Sequence, residues 1–263
     1  IESISTISEV RATFIRQSAQ DNAKLKASAQ GVTLTITDVD TVLSKNSAEV
    51  IGGNIQQSGG QEQFGDASNN VVLIDNVDDL QTGAYGGAVT QSGASTSLAV
   101  ATSNQVMISN TNFKNSVIGA SVYFKVDGNQ LYDSTRADQI KGIADNNLVI
   151  VSHAVGQNND FVGGGELFNY LSGSASGNTV VVSDSTVNEV IVGSVALQYS
   201  GLTLEEVWAS GNYQISNNSL YLHNAKVTKA AAGSLGYYDE DFNSLSTLDS
   251  TIKRRKPSTL IER

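Results

Sequence analysis

Three aspartates, Asp75, Asp78 and Asp79, gather around one stretch of the chain, and Asp38 and Asp40 hold a comparable place about forty residues earlier. Acids grouped this way invite comparison with polysaccharide lyases and hydrolases. Those enzymes need several carboxylates, or a carboxylate with Arg or Lys, projecting together onto one bond. The spacing falls short of that, because no carboxylate occupies the matching position of the neighbouring sequence repeats and Asp is an ordinary turn residue. His153 and His223 are the only histidines and cysteine is absent, so a metal centre lacks its usual donors. Gly163-Gly-Gly-Glu166 has the glycines of a calcium-binding repeat without its aspartate, and reads as a flexible corner. No glycine-rich phosphate cradle sits between a strand and a helix. The sequence predicts no catalytic, cofactor or metal site, and it directs attention to surfaces that bind.

Those surfaces must be carried by a repeated element. Six segments align as Val32-Thr-Leu-Thr-Ile-Thr-Asp38, Asn70-Val-Val-Leu-Ile-Asp-Asn76, Asn104-Gln-Val-Met-Ile-Ser-Asn110, Asn147-Leu-Val-Ile-Val-Ser-His153, Asn178-Thr-Val-Val-Val-Ser-Asp184 and Asn218-Ser-Leu-Tyr-Leu-His-Asn224. Position three and position five are always Val, Leu or Ile, the period of a strand with one buried face. A short repeat that cannot bury its apolar face alone must stack on its neighbours. The pattern predicts an all-β parallel solenoid of about six rungs, with Leu34/Ile36, Val72/Ile74, Val106/Ile108, Val149/Val151, Val180/Val182 and Leu220/Leu222 in two inward columns. Asn70, Asn104, Asn147, Asn178 and Asn218 begin five copies, where turn chemistry favours Asn and where each side chain can bond the next rung. An asparagine ladder is expected there. A glycine follows each copy (Gly52, Gly86, Gly119, Gly163, Gly193, Gly233) and marks a second strand with a positive φ or a close backbone approach. A third strand is expected between that glycine and the next Asn.

The ends differ from this body. Ile4, Ile7, Val10 and Phe14 have helix-like spacing, which predicts a short helical cap over residues 1–30, covering the open end of a solenoid spanning 31–237. Residues 238–263 read as a polar, basic tail or linker. Net charge is −10. Lys253 to Arg263 contribute five positive charges and one negative, so the rest of the chain holds −14. That charge disfavours nucleic acid and anionic membranes as partners. No apolar run approaches the ~18 residues of a membrane span, and no signal peptide opens the chain.

Four copies extend upstream as Ala67-Ser-Asn-Asn70, Ala101-Thr-Ser-Asn104, Ala144-Asp-Asn-Asn147 and Ala175-Ser-Gly-Asn178. Small-x-x-Asn-x-Val-x-Ile-Ser, followed by Val-x-Gly or Val-Gly, resembles the strand-loop-strand repeat of autotransporter passenger domains of Gram-negative bacteria. The resemblance covers about residues 31 to 237. It implies a right-handed parallel β-helix displayed at the cell surface, acting as an adhesin, with the chain as a passenger fragment that lacks the membrane β-barrel. It does not name the ligand, and a purely structural stalk or a carbohydrate-active β-helix enzyme are the competing readings. The Gly-Asp-Ser-Gly motif of the serine-protease passengers is absent.

Two surfaces stand out as partner-binding. The fourth position of each copy points outward, yet is apolar in five consecutive copies: Leu73, Met107, Ile150, Val181 and Tyr221. Such a stripe, with Met107 and Ile150 at its centre, serves self-association, binds a host or bacterial surface glycan or protein, or lies under other chain. The second surface is formed by the longest connections between a rung's glycine and the next rung, 27 and 24 residues against 14 for the shortest. Extra length on a rigid scaffold is where recognition concentrates. These connections hold Tyr132, Arg136, Trp208 and Tyr213, of types enriched at contact hot spots. Tyr123 and Tyr199 are assigned instead to third strands packed on the core.

Overall fold

The computed structural model describes residues 4–7, 10, 12–20, 22–43, 49–125, 138–157, 160–198, 212–232, 234–238 and 246–248. Among the described residues the regular structure is all β, without a helix. The strands stack in parallel register as a β-solenoid. Its chain path passes through four walls per turn, named A to D here. Wall A is formed by 33–37, 71–75, Gln105–Ser109, Leu148–Ser152, Thr179–Ser183 and Ser219–His223. Its registers run Leu34↔Val72↔Val106↔Val149↔Val180↔Leu220 and Ile36↔Ile74↔Ile108↔Val151↔Val182↔Leu222. These are the two inward columns that the alternation predicts, and β-branched residues fill most of them because they fit a pleated surface.

Wall B is a short strand that follows wall A without a loop (39–42, 77–80, Asn112–Phe113, Val155–Gly156), and it was not separated in the sequence. Between A and B the chain turns on one residue in the left-handed region: Asp38, Asn76, Asn110, His153, Asp184 and Asn224, with φ from 46 to 57°. Short polar side chains tolerate this conformation best, which explains why Asn or Asp closes five of the six copies. Wall C comprises Val50–Gly59, Ala84–Ser92, Val117–Lys125, Phe161–Phe168 and 189–198. Wall D is the expected third strand: Glu62–Asp66, Thr96–Val100, Ile140–Ile143, Ser172–Ser174 and Tyr213–Gln214.

At the D-to-A corner stands the asparagine ladder. Asn70, Asn104, Asn147 and Asn178 are at most 1% exposed. Each Oδ1 from Asn104 onward accepts two hydrogen bonds from the Asn one rung back, its backbone N–H at 3.0 Å and its side-chain N–H at 2.9–3.2 Å. The other side-chain N–H of Asn70, Asn147, Asn178 and Asn218 bonds the carbonyl of Ala29, Ala101, Ala144 or Ala175. The left-handed residue of this corner lies one position earlier, at Asn69, Ser103, Asn146 and Asn217. Turn formation and ladder bonding are therefore divided between neighbouring residues.

The glycines face this ladder from wall C. A Cβ on Gly52, Gly86, Gly119 or Gly164 would stand 2.6–2.8 Å from the Cβ of Asn70, Asn104, Asn147 or Asn178. Gly52, Gly86 and Gly164 are followed by a second glycine, and a Cβ on Gly53, Gly87 or Gly165 would stand 2.7–2.8 Å from the ladder's Nδ2; Gly119 is followed by Ala120. Close approach, rather than positive φ, selects glycine here. The register also corrects the alignment. Gly164, not Gly163, continues the column, since Ile118 pairs with Gly163 and Ala120 with Gly165; in the next rung Gly193 pairs with Gly165, so it belongs to the second column and Val192 stands in the first. Gly163-Gly-Gly-Glu166 is thus the middle of a strand, not a flexible corner.

Ladder and glycines divide the interior into two cores. One lies between A, B and the first half of C, around Val72, Ile74, Val106, Ile108, Phe113 and Val162. The other lies between D and the second half of C, around Ile55, Val89, Val122, Leu167 and Tyr170. A second polar column runs inside this core. Gln91 Nε2 donates to Gln57 Oε1 and Gln57 Nε2 to Gln17 Oε1, both at 2.8 Å. Phe124 takes the Gln position in the next rung, and the Tyr170 hydroxyl closes the column on Gln91 Oε1 at 3.1 Å.

The helical cap expected over residues 1–30 is corrected by this structure. Its described residues form strands Ile4–Ile7, Thr13–Ala19 and Lys24–Ser28, which pair in parallel with walls B, C and D of the first full rung. Thr13–Ala19 has strict alternate burial, so Ile15 sits on Ile55 while Phe14 faces out. The 3–4 spacing of apolar residues mimicked a helix, but the unpaired N–H and C=O row of the first rung recruits this segment as strands. At the other end Ser246–Leu248 pairs antiparallel with Leu235 to Tyr237. The remainder of the stretch read as a basic tail, 239–245 and 249–263, lies outside the described residues.

Replacing Asn147 by Ala would leave the Asn104 backbone and side-chain N–H groups unpaired in the core. The expected loss is about 1–3 kcal/mol, read as a lower midpoint in denaturant unfolding; an unchanged midpoint contradicts the ladder's energetic role. Gly119→Ala should destabilise by a similar ~1–3 kcal/mol through overpacking, because its Cβ would come within 2.7 Å of Asn147 Cβ.

Candidate binding faces

Outward positions of wall A carry the apolar stripe. Leu73, Met107, Ile150, Val181 and Tyr221 are direct register partners. At one rung per ~4.8 Å the column is on the order of 20 Å long. Its members are half-exposed, and Tyr221 is 59% exposed. Beside it runs a column of hydroxyls and polar groups: Thr37, Asp75, Ser109, Ser152, Ser183 and His223. The structure therefore brings Met107 and Ile150 side by side on a face open to contact.

The acids that first suggested chemistry are tied between rungs. Asp75 Oδ1 accepts from Ser109 Oγ at 2.6 Å and Asn110 Nδ2 at 2.9 Å, and these bonds hold its carboxyl below the usual range. Asp79 pairs with Lys114 at 2.8 Å and accepts from Gln81 at 2.6 Å. Burial pushes its pKa up, but Lys114 and Gln81 together outweigh that and lower it. Asp38 accepts from Asn76, and Asp184 from Asn224. His153 lies 3.8 Å from Asp184 on the open corner. All of these except the Gln81 bond join one turn of the solenoid to the next.

Of the residues taken from the long connections, Tyr213 is part of the core. It is 8% exposed and its hydroxyl donates to the Tyr170 carbonyl at 2.7 Å. Its place in wall D, under Gly173, follows from register, which a count of connection length could not show. Tyr132, Arg136, Trp208 and Tyr199 lie outside the described residues. Tyr123 belongs to wall C rather than D. It faces outward against Phe168, with ring centroids 5.1 Å apart.

That outer side of wall C holds a group of residues that the sequence did not single out. Ile51, Tyr85, Ile118, Gly163 and Ile191 form one outward column, and Asn54, Ala88, Ser121, Glu166 and Ser194 the next. Although they face out, Ile51, Ile118 and Ile191 are only 3–8% exposed. The Tyr85 ring lies across Gly83, where a Cβ would meet it at 2.7 Å. Its hydroxyl is hydrogen-bonded to Glu49 and Ser116. Burial, with the charges of Glu49 and Glu166 in support, pushes the Tyr85 phenol well above its ordinary value. Burial also raises Glu166, and raises Glu49 against the opposing bond from Tyr85. Glu49 remains open to water, which limits its shift. No spacing rule links Glu49, Tyr85, Ser116 and Glu166; only stacking at one register brings them together.

Comparison with known proteins finds no matching family model, no matching curated protein and no matching solved structure.

A raised folded pKa means that the native chain keeps the Glu166 proton where the unfolded chain has released it. Glu166 therefore costs stability as pH climbs above its ordinary 4.5. Glu166→Gln should melt higher than the parent at pH 7, and the gap should close as pH falls towards 4. Equal melting temperatures at both pH values contradict a desolvated carboxyl.

Proposed function

We propose that this chain is a segment of a bacterial surface-exposed autotransporter passenger, acting as an adhesin for a host or bacterial surface glycan or protein. On this reading the solenoid is a right-handed parallel β-helix, the hand that parallel strand crossovers adopt almost without exception. The Asn-x-Val-x-Ile-Ser repeats support the family, and the net charge of −10 supports neither nucleic acid nor an anionic membrane as partner. The single observation that carries a binding role is the in-register column of Leu73, Met107, Ile150, Val181 and Tyr221 on the outside of wall A. A regular apolar ridge on the exterior favours contact with another surface. Met107 and Ile150 at its centre are the anchors. A structural stalk is the second reading, favoured by the unbroken Asn70 to Asn218 ladder, which ties every rung to the next and suits a stiff spacer.

Met107→Asp/Ile150→Asp separates these readings, because both positions are outward and the inward columns stay intact. Beads coated with the parent chain should adhere to target cells. The double variant, with β-type circular dichroism retained, should adhere at least tenfold less. Equal adhesion by the two proteins removes wall A as the recognition face, and no adhesion by the parent leaves the stalk.

A further inference from the structure

We propose that wall A is the interface of an antiparallel pair of copies of this chain; this rests on the reading of wall A as the recognition face and names its protein partner. The composition of the face is the first support. Among the outward positions of wall A over six rungs, Asp75 is the only acid and there is no Lys or Arg. Its carboxyl is already held by Ser109 and Asn110. Copies of a chain with net charge −10 therefore meet on this face without opposing like charges. The apolar side chains form one in-register column rather than a pocket, which suits a second surface better than a small ligand. A second copy also offers the same period of ~4.8 Å per rung, so two columns interdigitate along their whole length, as the inner faces of packed sheets do.

Orientation follows from what each arrangement would oppose. Let rung 1 carry Thr33 to Thr37 and rung 6 carry Ser219 to His223. A twofold axis along the strands, between Met107 and Ile150, sets rung 1 of one copy on rung 6 of the other. Leu73 then faces the second copy's Val181, Met107 faces its Ile150, and Asp75 faces the hydroxyl of its Ser183. A twofold axis along the solenoid would instead lay Asp75 over Val71 and Ser152 over Leu148, burying polar groups against apolar ones. Charge at the rim agrees with the first arrangement. Residues 33–43 and 71–80, in rungs 1 and 2, hold five aspartates and no Lys or Arg, whereas residues 219–231, in rung 6, hold Lys226 and Lys229 and no acid. Lys229 stands over Glu189, but Lys226 stands over Thr186. The antiparallel pair brings Lys226 to the edge where the second copy's exposed Asp40 and Asp78 lie, and the symmetry repeats this meeting at the other end. Wall A is roughly 24 Å by 17 Å, on the order of 800 Å² over both copies, which is less than a stable complex buries. The pair is therefore weak alone and strengthened where many copies stand together.

Sedimentation velocity of the full chain tests this. The parent should pass from monomer to dimer between micromolar and millimolar concentration. Met107→Asp/Ile150→Asp should move the midpoint at least tenfold upward, because it places charges in the contact. Lys226→Glu should weaken the pair about two- to fivefold, the range of exposed ion pairs. Adding Asp40→Lys to Lys226→Glu should restore the parent midpoint, which a damaged fold would not allow. Cross-linking reads the orientation, since the chain has no cysteine of its own. Leu73→Cys mixed with Val181→Cys should form a disulfide dimer on oxidation faster than either variant alone. A parent that stays monomeric at millimolar concentration overturns the proposal, as does unaltered dimerisation of Met107→Asp/Ile150→Asp, failure of Asp40→Lys to rescue, or self-linking of Leu73→Cys ahead of the mixture. A monomeric parent whose coated beads still adhere to target cells overturns the second copy alone and leaves wall A as a recognition face, so the two failures are distinguishable.

Discussion

One contact organises this molecule: a column of buried asparagines pressed against paired glycines on the opposite wall. Buried amides are costly unless every donor and acceptor is met. Here each Oδ1 takes two N–H groups from the rung behind, while the side-chain N–H groups reach a carbonyl and the next Oδ1. The arrangement needs wall C to come close enough to exclude water, and at Gly52, Gly86, Gly119 and Gly164 a Cβ would stand too near the ladder for any residue but glycine. Asn and Gly are therefore two halves of one requirement. Changing either affects the same few ångströms of structure.

From that contact the rest of the cross-section follows. The ladder divides the interior, so neither core is wide, and Val, Ile and Ala fill them without large side chains in most rungs. Where the second core widens, Phe124, Tyr170 and Tyr213 take over from the glutamine column, and the tyrosine hydroxyls end on Gln91 and on a backbone carbonyl. Polar groups inside the solenoid are thus arranged as columns along the axis. A column lets each side chain satisfy the next, whereas an isolated buried amide has to find a partner within its own rung.

A fixed register also decides what the outside can do. With the corners held by left-handed residues and by the ladder, side chains on walls A and C recur at the rung spacing whatever their chemistry. Wall A then presents an apolar ridge beside a polar column, and wall C presents rings and carboxyls over a buried floor. The acids that looked most like a catalytic group, Asp75 and Asp79, are tied to the next rung by Ser109, Asn110 and Lys114, and Gln81 adds a bond within the rung. Proximity in sequence placed them at a corner, where such ties are needed.

The sequence by itself determined the solenoid, the pairing of the six copies, the inward columns and the asparagine ladder. Each rests on a local rule repeated six times: alternation fixes which side chains face in, and repetition fixes what lies above and below. It also located the outward stripe, because the fourth position lies between two inward ones. What it could not determine depended on contacts between different walls. The helix-like spacing of Ile4, Ile7, Val10 and Phe14 was local and ambiguous, and an open sheet edge settled it in favour of strands. Whether Gly163 or Gly164 faces the ladder depended on register across wall C. Tyr213 looked like a loop aromatic until wall D placed it beneath Tyr170. The Glu49, Tyr85, Ser116 and Glu166 group draws on four rungs, spanning 118 positions of sequence, and only stacking at a common register brings such residues onto one face.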